Sequence, residues 1–452
     1  MRYTLPNDSQ KPLYQQIIEM IEAAALSGKL QPGEKLPSER DLSQFFKVNR
    51  STVVRAMDEL HERNIIIRKV GSGTFINPQK WGLFSAPRMQ WNQTEQPRAF
   101  EEEYRYNLAN GDLPLDLYPS LQLPEIDWQL LLEAEQENSA SRFGTKQLRK
   151  AVQHYLKESH HWDVDLHQIL ITSGTQQAIS LIALGLLKTG DAVAIENPSY
   201  FYSLSIFQAL GIRIYGIPMD HEGIMIDKLD ELTHKHSLKM IFINPIFHNP
   251  TGKVMSPMRK KNLLDYCERK RILIIEDDAC AQIKFENHLN TAPLKMQDRH
   301  DNVLYLSSLS KYLGRSIRIG WMIAPPAITE HLANIRQQLD SGLSSLPQFM
   351  AEFYLQHHAK HHEKTLQQAL KMRAYQLHDW VSEHFNHALY FEKPQGGFHL
   401  YATLKDPKTQ KKVEAKFAKL SAKATKSSYF GGDDTAFRLS FANFPISENK
   451  EN

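Results

Sequence analysis

Residues 271–278 read RILIIEDD, and residues 302–311 read NVLYLSSLSK. Each begins polar, runs through a few apolar residues, and ends in chemistry: two aspartates in one case, serines and a lysine in the other. Apolar runs of this length, rich in Ile, Leu and Val, suit a strand covered on both faces. Working outward, QILIT at 168–172, AVAIE at 192–196 and KMIFIN at 239–244 are built the same way, with helical stretches between them. Strands alternating with helices predict βαβ units, hence an α/β fold with a mainly parallel sheet. Ligands of such sheets bind beyond the carboxyl ends of the strands. The residues that follow each run are therefore the candidates.

After QILIT come Ser173, Gly174, Thr175 and Gln176, opening a helical stretch. A turn of small residues at a helix start offers N–H groups and hydroxyls to a phosphate, although taken alone it is an ordinary helix cap. Tyr200 follows AVAIE, and Asn249 lies in the HNPTG turn after KMIFIN. Asp277 and Asp278 end the fourth run; Ser308, Ser310 and Lys311 end the fifth, with Arg318 seven residues on. One chemistry uses the whole set. Pyridoxal 5'-phosphate needs an amine for a Schiff base, an anion cradle, a carboxylate at its ring nitrogen, a donor to its ring hydroxyl and an aromatic over the ring. Lys311 suits the first role. Ser173, Gly174, Thr175, Gln176, Ser308, Ser310 and Arg318 suit the cradle, and Asp277, Asn249 and Tyr200 the remaining three.

The first eighty residues differ. Leu13, Ile17, Met20, Ile21 and Ala24 recur at helical spacing, with Gly28 as a stop. Ser38 can cap a second helix over Glu39–Phe46, with Asp41 completing a capping-box pattern, and Asn49 can cap a third. On that third helix Val53, Met57 and Leu60 form the apolar face and leave Arg50, Ser51, Thr52 and Arg55 on other faces. IIIRKV, GSG and TFI then predict a hairpin with a glycine tip. Three helices and a hairpin make a winged helix-turn-helix pattern. Its recognition helix presents N-terminal residues to a major groove, and Arg50 to phosphates. A small protein-docking module is the blander reading of the same pattern.

The runs GKLQPGEKLPSER at 28–40, VNRSTVVRAMDEL at 48–60 and GSGTFI at 71–76 resemble the GntR-type winged helix. The resemblance implies Arg40 and Arg50 on phosphates or bases, Thr52 at the groove, and Gly71 through Gly73 at the wing tip. Ser38 and Ser51 join the expected DNA-binding set. From about residue 106 onward, SGTQQA, ENPSY, NPTG, EDD, SxSK and RxG are similar to the fold-type I aminotransferases. So are QGGFHL at 395–400 and FRLSF at 437–441. That similarity implies Arg438 as the clamp for an effector carboxylate. A GntR-type head on an aminotransferase-like body resembles the MocR/GabR group of transcription regulators. The resemblance implies a head-to-tail homodimer, a double-stranded DNA operator, and a small amino compound or B6 vitamer as effector. It sets the expected organisation as a head at 1–78, a linker at 79–105 and a body at 106–452. The large subdomain would span about 135–335, and the small one about 336–452 with 106–134.

The family pattern is broken in places. Ala279 and Cys280 stand where a tyrosine would donate to the cofactor hydroxyl, Ser139 stands where another would reach the partner's phosphate, and Arg315-Ser316 replace Pro-Gly. Alanine donates nothing and a thiol donates poorly. Cofactor binding with weak or absent transamination is therefore expected. The rivals are a working aminotransferase whose head only docks on DNA, and a cofactor-free repressor. His357, His358, His361 and His362 fall at i,i+4 spacing but are flanked by Lys360 and Lys364; a solvated helix face is expected, and no metal.

Composition agrees with these readings. At 452 residues, two or three domains are expected. Two cysteines exclude a disulfide framework. No apolar stretch approaches the roughly 18 residues of a membrane span, and no secretory leader opens the chain, so a cytoplasmic, nucleoid-associated protein is expected. The net charge of +3 is carried by residues 1–80, with 12 Lys and Arg against 9 Asp and Glu. The remaining residues balance at 42 of each sign, so the excess lies on the part expected to meet an acidic polymer.

Overall fold

A computed structural model describes residues 11–26, 30, 33–63, 65–69, 71–77, 104–122, 129, 142–286, 288–340 and 342–446. The chain divides into two compact units between residues 94 and 95. The expected linker lies outside the described residues except for residues 104 and 105, as do Gly28 and Ser139.

In the first unit, α1 (Leu13–Leu26), α2 (Glu39–Phe46) and α3 (Arg50–Glu62) precede an antiparallel hairpin of β1 (Ile66–Lys69) and β2 (Gly73–Ile76). Ile17, Ile18, Ile21 and Ala24 of α1 share one buried core with Val53, Ala56, Met57 and Leu60 of α3. Ser38 caps α2 as expected, accepting from the Asp41 N–H at 3.2 Å. The return half of the capping box is different: the Asp41 carboxylate accepts from the Ser38 hydroxyl at 2.7 Å. Asn49 occupies the N-cap of α3, but its side chain makes no cap hydrogen bond; its backbone carbonyl accepts from the Thr52 N–H at 3.0 Å. Arg55 is not free, because its guanidinium lies 3.9 Å from the centre of the Tyr14 ring. Apolar periodicity marks what a helix buries and says nothing about which ring lies beside its polar face.

The second unit opens with the short β3 (Tyr106–Asn107) and is built on an eight-stranded sheet of β4 (Ile169–Thr172), β5 (Ala192–Asn197), β6 (Arg213–Asp220), β7 (Gly223–Ile224), β8 (Leu238–Ile243), β9 (Leu273–Asp278), β10 (Val303–Ser308) and β11 (Gly320–Ile323). Its strands lie in the order β4-β11-β10-β9-β8-β5-β6-β7. The pairs among β6, β5, β8, β9 and β10 are parallel. Consecutive residues enter different cores: Ile274 faces one and Ile275 the other, as do Ala194 and Ile195. This is why the runs read as continuously apolar rather than alternating.

β11 runs antiparallel to both β10 and β4. Its amino end therefore meets the carboxyl ends of its neighbours. Gly320 is packed so tightly there that a Cβ would lie 2.6 Å from the Ser307 carbonyl and 2.9 Å from the Gly174 Cα. This reversed strand places Arg318, which precedes it, over the turn that follows β4.

A four-stranded sheet of β12 (Leu389–Phe391), β13 (His399–Leu404), β15 (Thr425–Lys426) and β16 (Ala436–Ser440) sets β13 and β16 side by side, and β14 (Ala422–Lys423) pairs with β3. A 27-residue helix, Ala359–Phe385, buries Leu366, Leu370, Ala374, Leu377, Val381 and Phe385 in the same core as Leu400 and Leu439. The histidine-rich stretch is only partly a solvated face. His362 is buried, with Nδ1 2.9 Å from the Tyr354 hydroxyl and Nε2 2.9 Å from the Leu117 carbonyl. The helix breaks at His358, so the four imidazoles do not share one continuous helix. Among the described residues no three His, Cys, Asp or Glu side chains group to hold a metal, and no helix is long and apolar enough to cross a membrane.

Candidate cofactor site and nucleic-acid interface

Three consecutive carboxylates end β9, and their fates differ. Glu276 accepts from the Leu294 and Lys295 N–H groups at 2.6 and 2.8 Å. Asp278 accepts from the Ala281 N–H and the Tyr305 hydroxyl, both at 2.9 Å. A strand turns alternate side chains to opposite faces, so Asp277 points away from both. Its Oδ1 is buried with no hydrogen-bond partner among the described residues. Burial, aided by the like charges of Asp278, Glu196 and Glu276, lifts its pKa to about 7. A buried acceptor left without a partner is costly, and here it lies at a strand end, where a ligand would sit.

The anion cradle forms where β4 and β10 end. Gly174, at φ 81°, is the N-cap of the helix Thr175–Leu186, and no side chain fills that cap. A Cβ on Gly174 would stand 3.7 Å from the Ser308 hydroxyl and 3.9 Å from Arg318 Nη1, so the missing side chain leaves the approach open. Arg318 donates to the Ser173 carbonyl at 2.7 Å, and Ser308 Oγ donates to Ser310 Oγ at 3.0 Å. Gln176 donates to the Tyr200 hydroxyl at 2.8 Å. The Tyr200 N–H donates to the Asn249 carbonyl at 3.0 Å. Ser173, Gly174, Gln176, Tyr200, Asn249, Asp277, Ser308 and Ser310 thus end or follow strands of this sheet at their carboxyl ends, with Arg318 at the amino end of the reversed β11. A phosphate cradle, a buried carboxylate without a partner and an amine fit pyridoxal phosphate.

Lys311 Nζ donates to the Gly111 carbonyl at 2.8 Å and lies 3.5 Å from the Asp112 carboxylate. Burial, with Arg438 and Arg315 nearby, lowers its pKa against the opposing pull of Asp112. Arg438 comes from β16, donating to Asn249 Oδ1 at 3.2 Å and to the Ala109 carbonyl at 2.8 Å. Burial holds it down to about 10. Arg315 is ion-paired with Asp112, and its side chain is largely exposed. Cys280 is buried, and burial raises its pKa, so its thiol stays protonated and is no nucleophile.

Sequence reading missed two features of this site. One is the stretch Ala109–Asp112, whose carbonyls and carboxylate meet the site's cations. The other is His399, whose buried Nδ1 has no partner among the described residues and whose pKa burial drives far below the ordinary imidazole value. A Cβ on Gly111 would lie 3.1 Å from His399 Cε1 and 3.9 Å from Lys311 Nζ. QGGFHL quotes the histidine, but only the packing of the small sheet on the large one brings it there.

On the first unit, Ser38, Arg40, Arg50, Ser51, Gly71 and Gly73 are exposed and Thr52 is half-buried. Arg50 stands at the first position of α3, 3.8 Å from Glu39, with 69% of its side chain exposed. The φ values of 75° at Gly71 and 112° at Gly73 are left-handed, which explains glycine at the hairpin tip. Arg68 adds a cation on the wing, held by Asp58 at 2.7 Å.

Residues 105–451 match the model of the aminotransferase class I and II family, and residues 13–76 that of the bacterial regulatory proteins of the gntR family. The HTH-type transcriptional regulator YdfD of Bacillus subtilis is 33% identical over 408 residues, 86% of this chain and 84% of the relative. The HTH-type transcriptional regulator NorG of Staphylococcus aureus is 30% identical over 435 residues, 92% of this chain and 96% of the relative. Among solved structures, an archaeal alanine:glyoxylate aminotransferase superposes with a TM-score of 0.65 at 28% identity, covering 75% of this chain and 86% of that one. The multiple substrate aminotransferase of Thermococcus profundus shares the fold at a TM-score of 0.69 and 23% identity, covering 80% and 93%.

Proposed function

The chain belongs to the aminotransferase class I and II family, carries a gntR-family head and is a DNA-binding transcription regulator; from that premise we propose that its body binds pyridoxal phosphate as a sensory group and that a small amino compound or B6 vitamer is the effector. The fold implies the cofactor. The single observation that carries the cofactor reading is the buried, unpartnered Asp277 Oδ1, set on the strand beside the one that ends at Ser308 and leads to Lys311; that the cofactor is sensory is supported by Ala279 and Cys280 and by the regulator relatives.

In this reading Ser173, Gly174, Thr175, Gln176, Ser308, Ser310 and Arg318 would hold the phosphate. Asp277 would serve the ring nitrogen, Asn249 would donate its amide N–H to the ring hydroxyl, and Tyr200 would supply the aromatic over the ring. Lys311 is the amine placed to bond to the cofactor, and Arg438 is the clamp for an effector carboxylate. When bound, pyridoxal phosphate supplies an aldehyde that condenses with amines and a protonated ring that withdraws electrons. The Asp277 carboxylate would keep a proton on that ring nitrogen by accepting a hydrogen bond from it. With Ala279 and Cys280 in place of a tyrosine, a second donor to the ring hydroxyl beside Asn249, amino-acid turnover would be slow beside a working aminotransferase. The proposed organisation is a head at 1–78, a linker at 79–105, and a body at 106–452 with its two subdomains. The proposed assembly is a cytoplasmic, head-to-tail homodimer with two heads on paired half-sites. The effector switches the protein only to the extent that it binds one arrangement more tightly than the other.

For the head, Ser38, Arg40, Arg50, Ser51, Thr52, Gly71 and Gly73 form the proposed DNA face. Arg50→Ala removes an exposed cation at the start of α3 and leaves the Val53, Met57 and Leu60 core alone. It should weaken operator binding by roughly ten-fold and reduce the salt slope by about one. Salt-dependent fluorescence anisotropy reads both. Unchanged affinity at moderate salt would move the recognition surface elsewhere.

A further inference from the structure

The stretch Ala109–Asp112 meets each cation of the effector site with an acceptor of its own. The Ala109 carbonyl takes Arg438 at 2.8 Å, and the Gly111 carbonyl takes Lys311 at 2.8 Å. The Asp112 carboxylate pairs with Arg315 and lies 3.5 Å from Lys311. The stretch is anchored at its flanks and its back. The Ser440 N–H donates to the Leu108 carbonyl at 2.7 Å, and Asn443 Nδ2 donates to the carbonyls of Asp112 at 2.7 Å and Asn110 at 3.3 Å. Before it, Tyr106 and Asn107 pair with Ala422 and Lys423. Gly111 is seated against the buried His399 ring, with no room for a Cβ at its ordinary distance.

We infer that Ala109–Asp112 is a built-in stand-in for the site's ligands, released in two steps: by the cofactor, which takes Lys311, and by an effector carboxylate, which takes Arg438. The inference rests on the reading of Lys311 and Arg438 given above. The two contacts obey different chemistry. Condensation of the Lys311 amine with the cofactor's aldehyde would form a C=N bond and release water, leaving the nitrogen at most one N–H, which would be directed to the cofactor's ring oxygen, so the Gly111 carbonyl would lose its partner on loading. The Ala109 carbonyl is a single neutral acceptor on a guanidinium, whereas a carboxylate pairs with that guanidinium through two oxygens and a full charge. The carboxylate therefore displaces the carbonyl. Of the site's cations only Arg315 then still holds the stretch, through its pair with Asp112, whose arginine is largely exposed and whose energy is correspondingly small; the Ser440 and Asn443 anchors keep the flanks in place. In sequence, the stretch follows directly on residues 79–105, which join head to body, so occupancy of the site is registered at the body's entry point.

The test uses the full-length protein with and without pyridoxal phosphate, loading being followed by visible absorbance. Amide hydrogen exchange of a peptide covering residues 107–113 is compared in sodium acetate and in sodium chloride of equal ionic strength. Loading should speed exchange, and acetate should speed it further, roughly ten-fold for the loss of about one hydrogen bond. Arg438→Gln should abolish the acetate response. Asp112→Asn should raise the basal rate and leave the response in place. If acetate changes the absorbance through Arg438 but leaves residues 107–113 alone, the clamp reading stands and this inference falls. If acetate alters neither, both fall. If the protein does not load, the cofactor reading falls, and the acetate response of the unloaded protein decides this one.

Discussion

Full-length protein mixed with pyridoxal phosphate gains a visible absorbance band, and Lys311→Ala loses it completely. Borohydride reduction followed by peptide mass analysis then finds the cofactor on Lys311 and on no other lysine. The expectation is all-or-none because one nitrogen carries the bond. That nitrogen is already prepared for the reaction. Burial and the charges of Arg438 and Arg315 lower its pKa, so more of it is uncharged at neutral pH than for a free lysine. The pH midpoint for attachment should accordingly lie below the ordinary lysine value. Asp112 pulls the other way, and Asp112→Asn should shift that midpoint further down. A loaded Lys311→Ala variant with the same band would place the chemistry on another amine.

Asp277→Asn should cost cofactor affinity and return stability to the cofactor-free protein. A charge-assisted hydrogen bond to the ring nitrogen is worth about 2 kcal/mol, so affinity should fall roughly thirty-fold. The stability change has the opposite sign. The Asp277 carboxyl has a folded-state pKa of about 7, above its ordinary value. The folded chain therefore holds this proton more tightly than the unfolded chain, and ionisation subtracts stability as pH rises from about 4 to about 7. Above that range the full penalty applies to the cofactor-free wild type and is absent from the asparagine variant. Thermal melts of the cofactor-free proteins should diverge as pH rises through this window. Melts that stay parallel from pH 5 to pH 8 would mean that the buried carboxyl is already satisfied.

The parts of the site that were legible in the sequence are those where chemistry sits at the end of a short apolar run. Ser173, Tyr200, Asn249, Asp277 and Lys311 follow strands whose two-sided burial wrote itself into the composition. Arg318 was legible only as a spacing after Lys311; its reach to Ser173 depends on the reversed direction of β11, a four-residue strand. Ala109–Asp112 and His399 were illegible as site residues, since each is brought in by another element: one by β16 and Asn443, the other by the start of β13. The same limit explains Arg55 and His362. Helical spacing separates an apolar face from a polar one, but the Tyr14 ring and the Tyr354 hydroxyl belong to other helices.

The central claim is that occupancy of the Lys311 site is read by the DNA-binding head. It is tested most directly by an anisotropy titration of full-length protein against a DNA fragment that the protein itself selects from its own genome. The titration is run without and with pyridoxal phosphate, and repeated with Lys311→Ala. Loading should change the affinity of the wild type and leave that of Lys311→Ala unchanged. Identical isotherms for loaded and unloaded wild type, on a fragment bound with measurable specificity, would contradict it.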